Sequence, residues 1–258
     1  ILSLRNRKGC IDILKRDYHV GSPVEGVAFC VYDKDAPARI LDYGVTDKEG
    51  RLSFSALPIN HTYVVEEVAS ITGYNKTGIL SGESEEKTTW EVLVERSVAA
   101  GVYKLELTNT RVTGDLSFTK TNSWNRKLTG ATFTLTPTGS TPGADLTKYP
   151  DAVKTAVSNE NGIVLFKGIP YGTYTLKETV APENHSLNTA SFTVKVDENG
   201  TVTLNDEPVT KETSIENEFK EGSIHITKTD KSTGKPMKDV TFTLKDLSLI
   251  HISEPTRL

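Results

Sequence analysis

Glu178 falls in Tyr174-Thr175-Leu176-Lys177-Glu178-Thr179-Val180-Ala181-Pro182, where strand alternation places Tyr174, Leu176 and Glu178 on one face. Glu67 repeats the arrangement behind Tyr63 and Val65. A carboxyl on an apolar face is costly unless paired or protonated, so two matched cases predict a site. By the same parity Lys15 joins Ile11 and Ile13, Lys120 joins Leu116 and Phe118, Asn109 joins Leu105 and Leu107, and Asn217 joins Ile215 and Phe219. Each set holds a Lys, a Glu and an Asn, in that order, on positions expected to face a core. Lys to Asn is 109 − 15 = 94 and 217 − 120 = 97 residues, and Glu to Asn is 109 − 67 = 42 and 217 − 178 = 39. Such agreement implies one shared geometry. Burial lowers the pKa of a Lys and raises that of a Glu, so the expected local state is a neutral amine beside a neutral acid, a nucleophile next to a proton donor. The alternative is a buried Lys and Glu ion pair, hydrogen-bonded to the Asn, that orders the core without covalent chemistry.

The elements that must position these residues recur. Gly9-Cys10-Ile11-Asp12-Ile13-Leu14-Lys15 returns as Gly114 to Lys120 and as Gly222 to Lys228, each a Gly, alternating apolar positions and a Lys six residues on. The lysines are 120 − 15 = 105 and 228 − 120 = 108 residues apart, too far for a solenoid and about right for complete β-sandwich domains. Second strands follow at 26–31, 130–135 and 239–244, then the turns Asp47-Lys48-Glu49-Gly50 and Asn159-Glu160-Asn161-Gly162, the strands carrying Glu67 and Glu178, and closing strands carrying Asn109 and Asn217. The fold class is all-β in tandem domains. Residues 1–8 end an upstream segment, 9–112 and 113–220 are complete domains, and 221–246 hold the first two strands of a truncated third repeat containing Lys228. Residues 247–258 match nothing in the other units and resemble translated sequencing-adapter read-through, which predicts a truncated reading frame. The sequence allows a short helix at 144–157, although Pro150 interrupts it.

With 258 residues, 25% of them charged, and a net charge of −4, the chain has no basic signature of nucleic-acid binding and no run of about 18 apolar residues. Residues 1–8 lack the features of a signal peptide, so an export signal would lie upstream. Cys10 and Cys30 are the only cysteines, too few for a disulfide scaffold or a four-cysteine zinc site. They lie on the outward parity of two strands; neighbouring strands would allow a disulfide, and otherwise the thiols are free. The five histidines are scattered, and the acidic turns read as turn chemistry and not calcium loops, so no metal or cofactor is expected.

The opening Gly-x-apolar-x-apolar-x-Lys, the segment Tyr174 to Pro182 and the closing-strand Asn resemble the Cna B-type, SpaA-pilin-like repeats of Gram-positive surface proteins and pilins. The resemblance covers both complete units and the start of the third. It implies immunoglobulin-like β-sandwiches of the prealbumin-like, reverse-Ig type, in which Lys and Asn join spontaneously as an isopeptide bond with Glu assisting. Carried across, Lys15 and Lys120 are nucleophiles, Asn109 and Asn217 electrophiles, and Glu67 and Glu178 proton shuttles; the protonated Glu would polarise the Asn oxygen and ammonia would leave. Each domain reacts once, so this is self-crosslinking without turnover. The motif departs from the family's Ala-Pro-x-Gly-Tyr at Ala181-Pro182-Glu183-Asn184-His185, and the first unit lacks the Pro.

The resemblance further implies an extracellular stalk segment of a cell-wall-anchored adhesin or accessory pilin, with any sortase signal and any host matrix or glycan ligand served by other parts of the full protein. The alternative is a ligand-binding adhesin module, for which Trp90 and Trp124 are the conspicuous candidates.

Overall fold

The computed structural model describes residues 8–95, 102–138 and 153–243. The first domain runs β1 (Lys8–Asp17), β2 (Ala28–Asp33), β3 (Ile40–Val45), β4 (Arg51–Pro58), β5 (His61–Ala69), β6 (Tyr74–Leu80), β7 (Glu86–Lys87), β8 (Thr89–Val94) and β9 (Val102–Arg111). Its two sheets have strand orders β4-β1-β9-β6-β7 and β3-β2-β5-β8. The second runs β10 (Thr113–Asn122), β11 (Thr132–Pro137), β12 (Lys154–Val157), β13 (Ile163–Pro170), β14 (Gly172–Val180), β15 (Ser191–Val196), β16 (Val202–Leu204), β17 (Glu207–Pro208) and β18 (Ser214–Asn217). Its sheets are β13-β10-β18 and β12-β11-β14-β15-β16-β17. Among the described residues there is no helix.

Alternation places the cores where the sequence predicts. Ile11, Ile13, Phe29, Val31, Tyr63, Val65 and Leu107 fill the first, and Leu116, Phe118, Phe133, Leu135, Tyr174 and Leu176 fill the second. The first and last strands of each domain are parallel neighbours, β1 with β9 and β10 with β18. One turn residue anchors the lysine of each first strand. The carbonyl of Gly50 accepts the Lys15 N–H at 2.7 Å, and that of Gly162 accepts the Lys120 N–H at 2.7 Å. At Gly50 φ is +71°, and a Cβ would lie 2.2 Å from the Lys15 carbonyl oxygen, so no other residue fits.

Cys10 and Cys30 are both free, because β1 and β2 belong to opposite sheets; Cys10 is half-buried, whereas Cys30, expected on the outward face, is buried. Stacked sheets sit about 10 Å apart, beyond the reach of a disulfide. Cys10 instead shares hydrogen bonds with Ser53 and Asp12, and burial pushes the Cys30 thiol up. Of the segment 144–157, residues up to 152 lie outside the described residues, and the remainder contains strand β12. From Lys220 onward the chain forms a separate unit in which, up to residue 243, no strand is formed beyond an isolated bridge between Thr229 and Pro236. Ile224 and Ile226 are exposed there, as is Lys228, since a strand needs a ladder partner and a second layer to bury its apolar face. The tail 247–258 lies outside the described residues.

Candidate functional site

In the first domain Lys15 on β1 lies opposite Leu107 on β9, and Asn109 stands two residues further along that strand. Two residues of strand are about 6.6 Å, a span that a lysine side chain covers. Glu67 reaches the pair from β5 in the facing sheet. All three side chains are fully buried. Lys15 Nζ donates to Glu67 Oε2 at 2.7 Å, and Asn109 Nδ2 donates to Glu67 Oε1 at 2.6 Å. One carboxylate thus bridges the amine and the carboxamide. Just past Glu67 the β2 ladder slips, pairing Phe29 with Glu67 and Ala28 with Ala69, and β14 slips equivalently past Glu178. A bulge of this kind re-aims a side chain.

Burial drives Lys15 below the ordinary range of an amine, against the pull of Glu67, and drives Glu67 above that of a carboxylate, against Lys15. Both directions favour moving the shared proton from ammonium to carboxylate. The Asn109 amide nitrogen also donates to the Asn75 carbonyl at 2.9 Å and to Ser70 Oγ at 3.1 Å, whereas its Oδ1 is buried without a partner. A backbone carbonyl cannot donate, so this orientation excludes the flipped carboxamide. Glu67 therefore meets the nitrogen that would leave, and not the oxygen that the resemblance implied it would polarise.

The second domain repeats the placement with different contacts. Asn217 Nδ2 donates to Glu178 Oε2 at 2.7 Å and to the Ser186 carbonyl at 2.8 Å, again leaving Oδ1 buried and unpartnered. The Asn188 backbone N–H donates to the same Glu178 oxygen at 2.7 Å, and Glu178 Oε1 has no partner. Lys120 Nζ donates to the Thr121 and Ile215 carbonyls at 3.0 and 2.6 Å. Burial lowers Lys120 to about 8, opposed by the charges of Glu178 and Glu216.

A family model described as the prealbumin-like fold domain SpaA matches residues 9–109 and 114–208. The chain belongs to the SpaA prealbumin-like fold family. Among solved structures, the Bacillus anthracis TIE protein is 24% identical with a TM-score of 0.56, over 82% of this chain and 34% of that one. A streptococcal ancillary pilin is 22% identical over 83% of this chain and 62% of its own, TM-score 0.34. A C-terminal fragment of the pilus adhesin SpaC from Lactobacillus rhamnosus GG is 16% identical over 83% and 96%, TM-score 0.49. The chain thus spans about a third of the TIE protein and three fifths of the ancillary pilin. The TIE protein likeness is one of fold. No curated protein sequence matches.

Several residues that line the first SpaA site are absent from any single-strand pattern. Lys15 Nζ lies 5.6 Å from the Phe29 ring centroid and 5.9 Å from that of Trp90. A Cβ at Gly78, which pairs with Asn109 across β6 and β9, would stand 2.8 Å from Lys15 Nζ and 3.0 Å from the Trp90 ring, so this glycine makes room for the amine. Two residues past each lysine, Asp17, Asn122 and Asp230 accept backbone N–H groups of the following turn. The recurring Lys-x-Asp/Asn was a legible signal for that turn.

In the first SpaA domain Asp17 also accepts Arg111 Nε at 2.7 Å and the Tyr74 hydroxyl at 2.7 Å. This buried cluster joins the ends of β1 and β9 beside the site. Burial alone would raise the Asp17 pKa, but hydrogen bonds from Arg111, Tyr74 and the Val20 N–H outweigh it and hold the carboxyl below its usual value. A depressed folded-state pKa stabilises above the unfolded value of about 3.9, and the stabilisation is lost as pH falls through the folded value. Arg111→Ala should cost the first domain about 3 kcal/mol, the lower end for one partner of a buried pair, because Asp17 keeps its other donors. Thermal unfolding from pH 7 to pH 3 checks this: the deficit should be largest at neutral pH and shrink towards pH 3.

Proposed function

We propose that the two SpaA domains form a load-bearing segment of a Gram-positive cell-surface protein, an adhesin stalk or an accessory pilin, closed by isopeptide bonds between Lys15 and Asn109 and between Lys120 and Asn217. The observation that carries this reading is a buried Lys, Glu and Asn set in each apolar core, with Lys on the first strand and Asn on the last. Neutral Lys15 attacks the Asn109 carboxamide carbon. Glu67, holding the proton taken from the Lys15 ammonium, gives it to the carboxamide nitrogen, which leaves as ammonia, and takes in exchange the proton that the Lys15 nitrogen sheds on bonding to carbon. Glu178, hydrogen-bonded to Asn217, carries the proton likewise once the Lys120 amine turns from the Thr121 and Ile215 carbonyls. Fixing amine and amide side by side replaces a bimolecular encounter, which supplies most of the acceleration.

The bond would tie the strands that receive load from the two chain termini. The linker supports a stalk as well. Val112 alone separates β9 from β10, with its N–H donating to the Gly73 carbonyl at 2.9 Å and its carbonyl accepting the Tyr171 N–H at 2.8 Å.

The ligand-binding alternative loses one of its candidates, since Trp90 is buried. Trp124 is exposed and packs, tilted, against Phe219 at 4.6 Å between ring centroids. The full chain, screened against arrayed glycans and extracellular matrix proteins, should show no saturable binding. Tight binding to one ligand, abolished by Trp124→Ala, would displace the stalk reading.

A further inference from the structure

The first domain holds two buried polar atoms without partners on residues of its site. Among its described buried side-chain polar atoms, Ser22 Oγ, Trp90 Nε1 and Asn109 Oδ1 have no hydrogen-bond partner. Ser22 belongs to the turn after β1, but the other two belong to the site. Trp90 on β8 pairs with Val65 on β5, two residues before Glu67 on the same face. Its ring would touch a Cβ at Gly78 through Cζ2 and Cη2, the edge that adjoins Nε1, and Gly78 is the ladder partner of Asn109. A buried donor without an acceptor is costly, as is a buried acceptor without a donor, and both need an explanation.

We propose that the indole N–H of Trp90 is the donor that stabilises the Asn109 oxygen during attack by Lys15. This inference rests on the cross-linking reading and adds a group to it. As the Lys15 nitrogen bonds to the carboxamide carbon, the C=O electron pair moves onto Oδ1. Glu67 is engaged with the two nitrogens, so the developing charge falls to another donor. When the intermediate collapses, the pair returns, the C–Nδ2 bond breaks and ammonia leaves. The N–H then bonds the carbonyl of the finished isopeptide. A donor aimed at the charge that develops, and idle beforehand, is the arrangement that accelerates the step without stabilising the resting amide.

The second domain is a built-in control. By register Phe192, opposite Leu176 on β14, occupies the place of Trp90, and a phenyl ring has no N–H to offer. It also shows that the fold accepts Phe there.

The test compares wild type with Trp90→Phe in the full chain. Protein held unfolded in denaturant from synthesis is refolded by dilution and quenched in acid at intervals, and ammonia loss is read on proteolytic fragments of each domain. Trp90→Phe should slow bond formation in the first domain by about a hundredfold, the usual effect of deleting one such donor, and leave the second domain's rate unchanged. Thermal unfolding of Lys15→Ala with and without Trp90→Phe checks packing in a background whose first domain cannot cross-link. If Phe prevents folding, benzothienylalanine at position 90 keeps the bicyclic shape without the N–H. A first-domain rate within twofold of wild type in a folded variant overturns the proposal. Absence of ammonia loss in wild type would instead overturn the cross-linking reading on which it rests.

Discussion

The folded full chain should weigh two ammonia molecules less than its sequence mass. Each domain sets an amine, a carboxylate and a carboxamide in a dry core, and effective molarities in such fixed pairs reach about 10⁵–10⁸ M, enough for an amide to yield to an amine without turnover machinery. Lys15→Ala, Glu67→Ala or Asn109→Ala should each restore one ammonia, confined to fragments of the first domain, and Lys120→Ala, Glu178→Ala or Asn217→Ala should do the same in the second. The glutamate variants are the most informative. They leave amine and carboxamide in place and remove only the group that carries the proton between them. Intact-mass measurement followed by proteolytic mapping decides the matter. A wild-type mass equal to the sequence mass would mean that these six residues form hydrogen-bonded clusters only.

Pulled from its two ends, the cross-linked chain should not extend through either domain. Load entering at the start of β1 and leaving at the end of β9 shears a parallel pair, and the bond between positions 15 and 109 closes a loop of 109 − 15 = 94 residues against it. Without the bond those residues pay out at about 3.3–3.6 Å each, a step on the order of 300 Å. Single-molecule pulling of the full chain should therefore show no step of that size in wild type, one in Asn109→Ala and two in Asn109→Ala with Asn217→Ala. Steps of 300 Å in wild type would remove the mechanical basis of the stalk reading. In the reference chain-entropy treatment of cross-links, a loop near 100 residues also contributes about 4.7 kcal/mol, so the variants should lose heat stability domain by domain.

The sequence by itself determined which side chains face inward. Parity along a strand is a local property, so Lys15, Glu67 and Asn109 could be placed among Ile13, Val65 and Leu107 without knowing any neighbour, and the matched spacings showed that the second domain repeats the first. The Asx and glycine turns were legible for the same reason, since Asp47 and Gly50 act within four residues. Adjacency between strands was not legible, because it depends on ladders that join residues far apart in the chain. That is why Cys10 and Cys30, alike in parity, lie on opposite sheets, and why Trp90 and Gly78 came to flank an amine more than 60 residues away in sequence. The carboxamide orientation also belonged to the tertiary structure alone: the Asn75 and Ser186 carbonyls, reached only when the domain closes, turn each Asn nitrogen towards its Glu and leave the oxygen bare. The segment beyond Lys220 carries the same strand pattern and forms no ladder among its described residues, because a hydrophobic face becomes a strand only when a partner strand and a second layer supply the other side.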